Sequence, residues 1–202
     1  SRKKSILVEE DEGITPATAE GLASLRPLIP DGVLSFGAQT HPADGNSSMI
    51  ITTQEKAKEL SADPSVPVQV IAYGFAREKK GYMAAAPVPA TKRALENAGL
   101  SIGDMNVIKS HNPFIVHDIN FAKQFNIDVN DMNNYGCSMI YGHPQGSTAT
   151  RLIIEGIEET QRRGAQFVGK NICLSNLGPG NAPDKLINKP ALPVGGGEVV
   201  FV

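Results

Sequence analysis

Apolar and polar positions change rhythm along the chain. From Asn46 onward, short β-branched or apolar runs alternate with longer stretches of helical period. "SSMIITT" at 47–53 is a β-branched run and predicts a strand. "QEKAKEL" at 54–60 predicts a helix, with Thr52 and Glu55 at capping-box spacing. "PVQVIAYGFA" at 67–76 predicts a strand, and "PATKRALENAG" at 89–99 a helix opened by Pro89 and stopped by Gly99. "MNVIKS" at 105–110 is the next strand and "PFIVHDINFAKQF" at 113–125 the next helix. "DMNNYGCSMIY" at 131–141 reads as strand or turn. The strongest period is in "GSTATRLIIEGIEETQRRG" at 146–164. There Ala149, Leu152, Ile153, Gly156 and Ile157 share a face, and Arg151, Glu155, Glu158 and Arg162 lie off it. "AQFVGKNIC" at 165–173 and "GEVVFV" at 197–202 complete the strands.

This alternation predicts an α/β layered sheet. The first 45 residues differ, with turn residues around one short helical piece, Ala17–Leu25, and then loop chemistry in "SFGAQTHPADG". The expected organisation is therefore a linker-like segment at 1–45 and a layered domain at 46–202. Between Cys173 and Gly195 lies "LSNLGPGNAPDKLINKPALPVG", rich in Pro, Gly and Asn. A loop of that length inside a compact domain is unusual and often functional. The chain opens at Ser1 without a methionine and runs through "SRKK" into strand-like "SILVEE", which reads as a fragment or a trimmed chain.

Composition narrows the function classes. With 202 residues, 41% hydrophobic and 20% charged, the chain has material for one globular core. A net charge of -2 argues against a nucleic-acid partner held by bulk electrostatics. No apolar run approaches the roughly 20 residues that span a bilayer, and the first residues carry no signal-peptide pattern. Two cysteines predict no disulfide framework and a reduced, cytoplasmic chain. "NSS" at 46–48 fits a glycosylation sequon, read as chance in such a chain. There is no HExxH, CxxC or phosphate-loop pattern, so no metal site and no tightly bound cofactor is expected.

The candidate chemistry lies in histidines and cysteines at element junctions. His143, in "YGHPQG", sits at a loop-to-helix junction with Pro144 expected at the first helical position. A helix N-terminus disfavours imidazolium and favours a neutral ring. Taken alone it is a turn histidine more often than a catalytic one. His111 ends a strand before a Pro-started helix, where α/β folds place their sites. His41 reads as a loop residue, and His117 as a surface or satisfied core residue. Cys173 and Cys137 both have the bland reading of small core residues. A functional Cys needs a nearby base or dipole, and His143 meets Cys173 only if the fold joins them.

Three segments together resemble the C-terminal half of the thiolase family of acyl-CoA acyltransferases. "APVPATKRALENAGLSIGDMNVIKSHNPF" resembles the family's GPxPA helix, strand and NEAF segment. "MNNYGCSMIYGHPQGSTATRLI" resembles NxGGxxxxGHPxGxxGxR, and "RRGAQFVGKNIC" resembles RRGxxxGxxxxC. Upstream, "RKKSILVEEDEGITPATAEGLASLRPLIPDG" resembles the end of the loop domain and the linker. His111 and His143 are 32 residues apart, and His143 and Cys173 are 30 apart, as expected between the family's motif positions.

The resemblance implies a mixed sheet of about five strands with helices on both faces, half of an αβαβα five-layer fold. It implies acyl-CoA thioesters as substrates and a ping-pong reaction, Claisen condensation or thiolysis of a 3-ketoacyl-CoA. On that basis His143 activates the nucleophile and helps bind the thioester oxygen, and Cys173 moves the α-carbon proton. His111 falls on the NEAF asparagine and takes over its oxyanion-hole role. Ser175 offers a backbone N–H to a second oxyanion hole, and Thr40 sits near the pantetheine arm of CoA.

Departures are visible too. NEAF is HNPF here, CxGGG is replaced by "CLSN", Cys137 replaces a glycine, and 176–194 is an insertion. Neither cysteine matches the family's nucleophile motif, so the nucleophile is expected from a thiolase N-terminal half, in the same or another chain. The resemblance also implies a homo-oligomer. The alternatives are a non-catalytic thiolase-fold binding or assembly module and a subunit completed by another chain.

Overall fold

The computed structural model describes residues 5–11, 13–64, 68–163, 171–175 and 198–201, the last two stretches as backbone alone. Four strands form one mixed sheet in the order β1–β4–β3–β2. They are β1 (Tyr73–Ala76), β2 (Met105–Ser110), β3 (Asn171–Ser175) and β4 (Glu198–Phe201). β2 and β3 are parallel, and β4 runs antiparallel to both its neighbours. Parallel neighbours need a long crossover, and the chain between β2 and β3 supplies one through α4 (Ile115–Phe125), α5 (Ser138–Tyr141) and α6 (Thr148–Arg162). α3 (Pro87–Ala98) precedes β2, and two short helices, α1 (Ala19–Ala23) and α2 (Gln54–Leu60), lie upstream.

Helices cover both faces of the sheet, and β2 shows how. Ile108 joins the apolar cluster of Ala76, Ala90, Ala94, Phe121 and Met132. The next residue, Lys109, instead reaches Glu159 on α6, with Nζ 2.7 Å from the carboxylate. Successive strand side chains point to opposite faces. So α3 and α4 pack on one face of β2 and α6 on the other.

The packing of α3 on β1 rests on a glycine. A Cβ on Gly74 would lie 2.0 Å from the Ala90 carbonyl oxygen and 2.5 Å from the Ala94 nitrogen. Any side chain there would lift the helix off the strand. α3 buries Val88, Ala90, Thr91, Ala94 and Leu95 and stops at Gly99 as expected, but it begins at Pro87, two residues earlier than expected.

Two expectations are corrected, the strand at 47–53 and the cap of α2. Among the described residues the sheet has four strands, where about five were expected of the whole domain. The run at 47–53 forms no strand with any described residue, and Ile50 and Ile51 stay 78% and 76% exposed, so β-branching there meets no sheet edge. Thr53, not Thr52, caps α2, accepting from the Lys56 N–H at 3.4 Å. Residues 131–141, read as strand or turn, form a turn, with Gly136 at φ +101, and then the short α5. On α6, Leu152 and Gly156 are buried as expected, but so is Glu159, which the apolar period placed nowhere and which Lys109 holds inside. The strand residues expected at 165–170 and the insertion at 176–194 lie outside the described residues.

Candidate active site

Three loops meet beyond the C-terminal end of β2. One is residues 111–114, leading from β2 into α4. Another is 142–147, between α5 and α6. The third is 39–42, from the segment that looked like a linker. Backbone bonds join them: the Thr40 N–H donates to the Pro113 carbonyl at 2.8 Å and the His143 N–H to the His41 carbonyl at 2.8 Å. Single bridges pair Gln39 with Phe114 and Pro42 with His143. Gly142, at φ +79, makes the turn into His143, and a Cβ there would lie 2.6 Å from the Ala43 Cβ and 2.9 Å from the His41 Nε2. The loop from 39 is thus the wall against which "YGHPQG" is folded.

The two histidines stack, with ring centroids 4.0 Å apart and planes 32° from parallel. His111 is 6% exposed, and its Nδ1 is hydrogen-bonded to the Ser138 hydroxyl at 2.7 Å. That hydroxyl also accepts from Arg151 Nη2 at 3.3 Å, and the Thr40 hydroxyl donates to the Ser138 carbonyl. The half-buried His143 shares a 2.8 Å hydrogen bond between its Nδ1 and the Thr148 hydroxyl. Burial pushes the His111 ring down to about 3, helped by the neighbouring His143, His117 and Arg151. Burial and then Arg151 lower His143. Two imidazoles this close cannot both carry charge at low cost, and burial favours the neutral form of each, which can both donate and accept.

His143 is neutral for a reason other than a helix N-terminus. Pro144 does not open α6. Gln145 takes φ +54, a 3-10 turn follows at Gln145–Ser147, and the helix starts at Thr148.

Beneath His111 a buried polar network fixes its loop. Asp118 on α4 accepts from the Ser110 hydroxyl, from Asn112 Nδ2 at 2.6 Å and from Asn133 Nδ2 at 3.2 Å. Asn133 Oδ1 in turn accepts the Ser110 N–H at 2.8 Å. Burial pushes the Asp118 carboxyl up, against these donors, which pull it down. Asn112, where a glutamate was expected from the family pattern, is thus an anchor of the loop.

The structure brings together three of the sequence candidates, His111, His143 and Thr40. Cys173 and Ser175 lie on β3, where the parallel register sets Cys173 opposite Ile108 and Ser175 opposite Ser110. β3 continues two residues past Cys173, whose side chain lies outside the described ones, because Leu174 pairs with both Lys109 and Phe201. Cys137 is free, partly buried and the N-cap of α5. His117 is a buried α4 residue, 2% exposed, with Nδ1 bonded to the Phe114 carbonyl at 3.1 Å. Ser138, Thr148, Arg151 and Asp118 were missed as site residues. Thr148 and Arg151 had a signal, since they lie five and eight residues after His143, on the helix it leads to. Ser138 had none, since its role depends on two distant loops. Among the described residues, no three His, Cys, Asp or Glu side chains form a metal-binding group. Nor is any described helix long and apolar enough to cross a membrane.

Residues 65–188 match the thiolase C-terminal domain. The chain belongs to the thiolase family. It is 32% identical over 174 residues to a 3-ketoacyl-CoA thiolase of Bacillus subtilis, covering 85% of this chain and 44% of that protein. It is 35% identical over 183 residues to one from Aliivibrio fischeri, covering 87% and 46%. Among solved structures it is similar to Bacillus anthracis acetyl-CoA acetyltransferase, with TM-score 0.77 and 26% identity over 100% of this chain and 46% of that one. Human mitochondrial 3-ketoacyl-CoA thiolase in complex with CoA is similar too, with TM-score 0.76 and 26% identity over 96% and 44%. This thiolase-family chain thus spans less than half the length of these relatives.

Proposed function

We propose that this chain is the C-terminal catalytic half of an acyl-CoA thiolase, which joins two acyl-CoA molecules by Claisen condensation or cleaves a 3-ketoacyl-CoA in reverse. The observation that carries the reading is the stacked neutral pair His111–His143. It sits where the parallel strands β2 and β3 end, in a chain similar to 3-ketoacyl-CoA thiolases. Acyl transfer needs groups that donate to a developing oxyanion and take a proton from a thiol or a carbon acid, and buried neutral imidazoles can do both.

The nucleophilic thiol comes from a thiolase N-terminal half outside these residues. It attacks the thioester carbon, and CoA leaves as the thiolate. His143 takes the thiol proton. Cys173 removes the α-proton of the second acyl-CoA. His111 and His143 donate to one thioester oxygen, and the Ser175 N–H donates to the other. The Thr40 hydroxyl gives its hydrogen to the Ser138 carbonyl, so toward the pantetheine arm it acts as an acceptor. The complete protein works as a homo-oligomer.

The test is thiolysis of 3-ketoacyl-CoA by the full-length protein. Turnover is expected, and His143→Ala should lower kcat by roughly 10³-fold. No turnover at any chain length would sink the reading. Cys173→Ala should still form acyl-enzyme, seen by mass spectrometry, while condensation fails. Undiminished condensation would remove that role from Cys173.

A further inference from the structure

Ser138 is wholly buried, and its hydroxyl stands between two nitrogens. Arg151 Nη2 lies 3.3 Å from it and His111 Nδ1 2.7 Å. A guanidinium has only hydrogens to give. The oxygen of Ser138 therefore accepts from Arg151, and among the described residues His111 Nδ1 is the acceptor within reach of its single hydrogen. Were Nδ1 protonated, Ser138 would receive two donors and its own buried hydrogen would find no acceptor among the described residues. Arg151 is itself held in place. Its Nε faces Glu155 Oε1 at 3.2 Å, and its guanidinium lies 5.8 Å from the centre of the Tyr141 ring. Ser138 is fixed from the other side by the Thr40 hydroxyl on its carbonyl.

We propose that Arg151 and Ser138 are positioning residues that fix the tautomer of His111, so that Nδ1 accepts from Ser138 and Nε2 carries the hydrogen. His111 is then a hydrogen-bond donor at its outer nitrogen and cannot be a base there. The division of labour within the stacked pair follows, with His111 donating to oxygen and proton transfer left to His143. The neutral ring that burial enforces is in keeping with this. The catalytic part of this inference rests on the thiolase reading; the tautomer does not.

The experiment is a long-range 1H–15N correlation spectrum of the full-length protein labelled with 15N-histidine, at neutral pH, with the His111 signals identified by their loss in His111→Asn. The expected pattern is that of the Nε2–H tautomer. An Nδ1–H pattern in the wild-type protein would overturn the proposal, and that arm needs no Ser138 or Arg151 variant to fold. Ser138→Ala and Arg151→Met should each convert the pattern to a tautomer mixture. An unchanged pattern in both folded variants would remove Ser138 and Arg151 from the role. In turnover, Ser138→Ala should lower kcat about tenfold with little change in KM, and lose most of that effect in a His111→Asn background. An Nε2–H pattern combined with full turnover by His111→Leu would overturn the thiolase role of His111 while upholding the tautomer.

Discussion

Two buried polar clusters flank β2, and they solve the problem of buried polarity in opposite ways. On the α6 face, Lys109 and Glu159 are a true ion pair at 2.7 Å, 0% and 2% exposed, and Arg163 adds a second cation to the same carboxylate. Toward the site, His111, His117 and His143 are pushed down by burial, and Asp118 is pushed up. The α6 cluster balances charge; the other drives its groups toward neutrality and surrounds them with hydroxyls and amides. A clamp between helix and strand gains from full charges that find each other. Imidazoles that stay neutral, beside oxygens whose hydrogens are already assigned, suit the acyl transfer proposed above.

The largest effect should come from breaking the clamp. Glu159→Ala leaves the Lys109 ammonium buried without its partner, and breaking such a pair costs about 3–5 kcal/mol. Replacing both as Lys109→Met with Glu159→Leu should restore most of the loss, because apolar side chains of like volume can substitute for a buried pair. Urea unfolding of the full-length protein measures both. If Glu159→Ala unfolds at the wild-type midpoint, the pair is no clamp.

Acid should separate the two clusters next. A histidine whose folded value is lowered is neutral in the native state and charged in the unfolded one below 6.5. Its contribution is fully present above 6.5 and is lost as pH falls toward the folded value, here about 3 for His111. Between pH 6.5 and about 5, His111 alone should cost about 2 kcal/mol of stability, and His117 and His143 act in the same direction. Asp118 contributes the other way. Its raised carboxyl favours the native state at low pH, and that contribution is lost as pH rises through its folded value. The check is the slope of the urea midpoint against pH in the wild-type protein and in His111→Asn. Equal slopes would mean that His111 is not held neutral.

What was legible in the sequence divides along the same line. β2, α4 and α6 could be read because each has one face toward an apolar layer, and that face sets a period. The two histidines could be read as a pair only through motif spacing, since neither "SHNPF" nor "YGHPQG" has a period. Two things could not be read. Glu159 sits on the buried face of α6, where a carboxylate makes sense only once Lys109 is seen across from it. Thr40 could be placed only through the resemblance, and the backbone bonds to 113 and 143 that make 39–42 a wall of the site leave no mark on residue type. The false strand at 47–53 has the converse cause: β-branching reports a preference for extended backbone, not the presence of a neighbour.

The smallest effect tests how the second imidazole is held. Thr148 is buried at the first turn of α6, and its hydroxyl is the one side-chain partner of His143 Nδ1 among the described residues, at 2.8 Å. Valine has nearly the same shape and no hydroxyl, so Thr148→Val keeps the packing and frees the ring to turn. Stability should change by no more than about 1 kcal/mol, the net worth of one hydrogen bond. kcat should fall about tenfold, since a misaimed base loses rate without losing substrate. Thr148→Ser should restore kcat, because it returns the oxygen and omits only a methyl group. Steady-state kinetics beside the urea midpoint distinguishes this from general damage, which would lower both together and would not respond to serine. Wild-type kcat in Thr148→Val would mean that the stack on His111, and not the hydroxyl, aims His143.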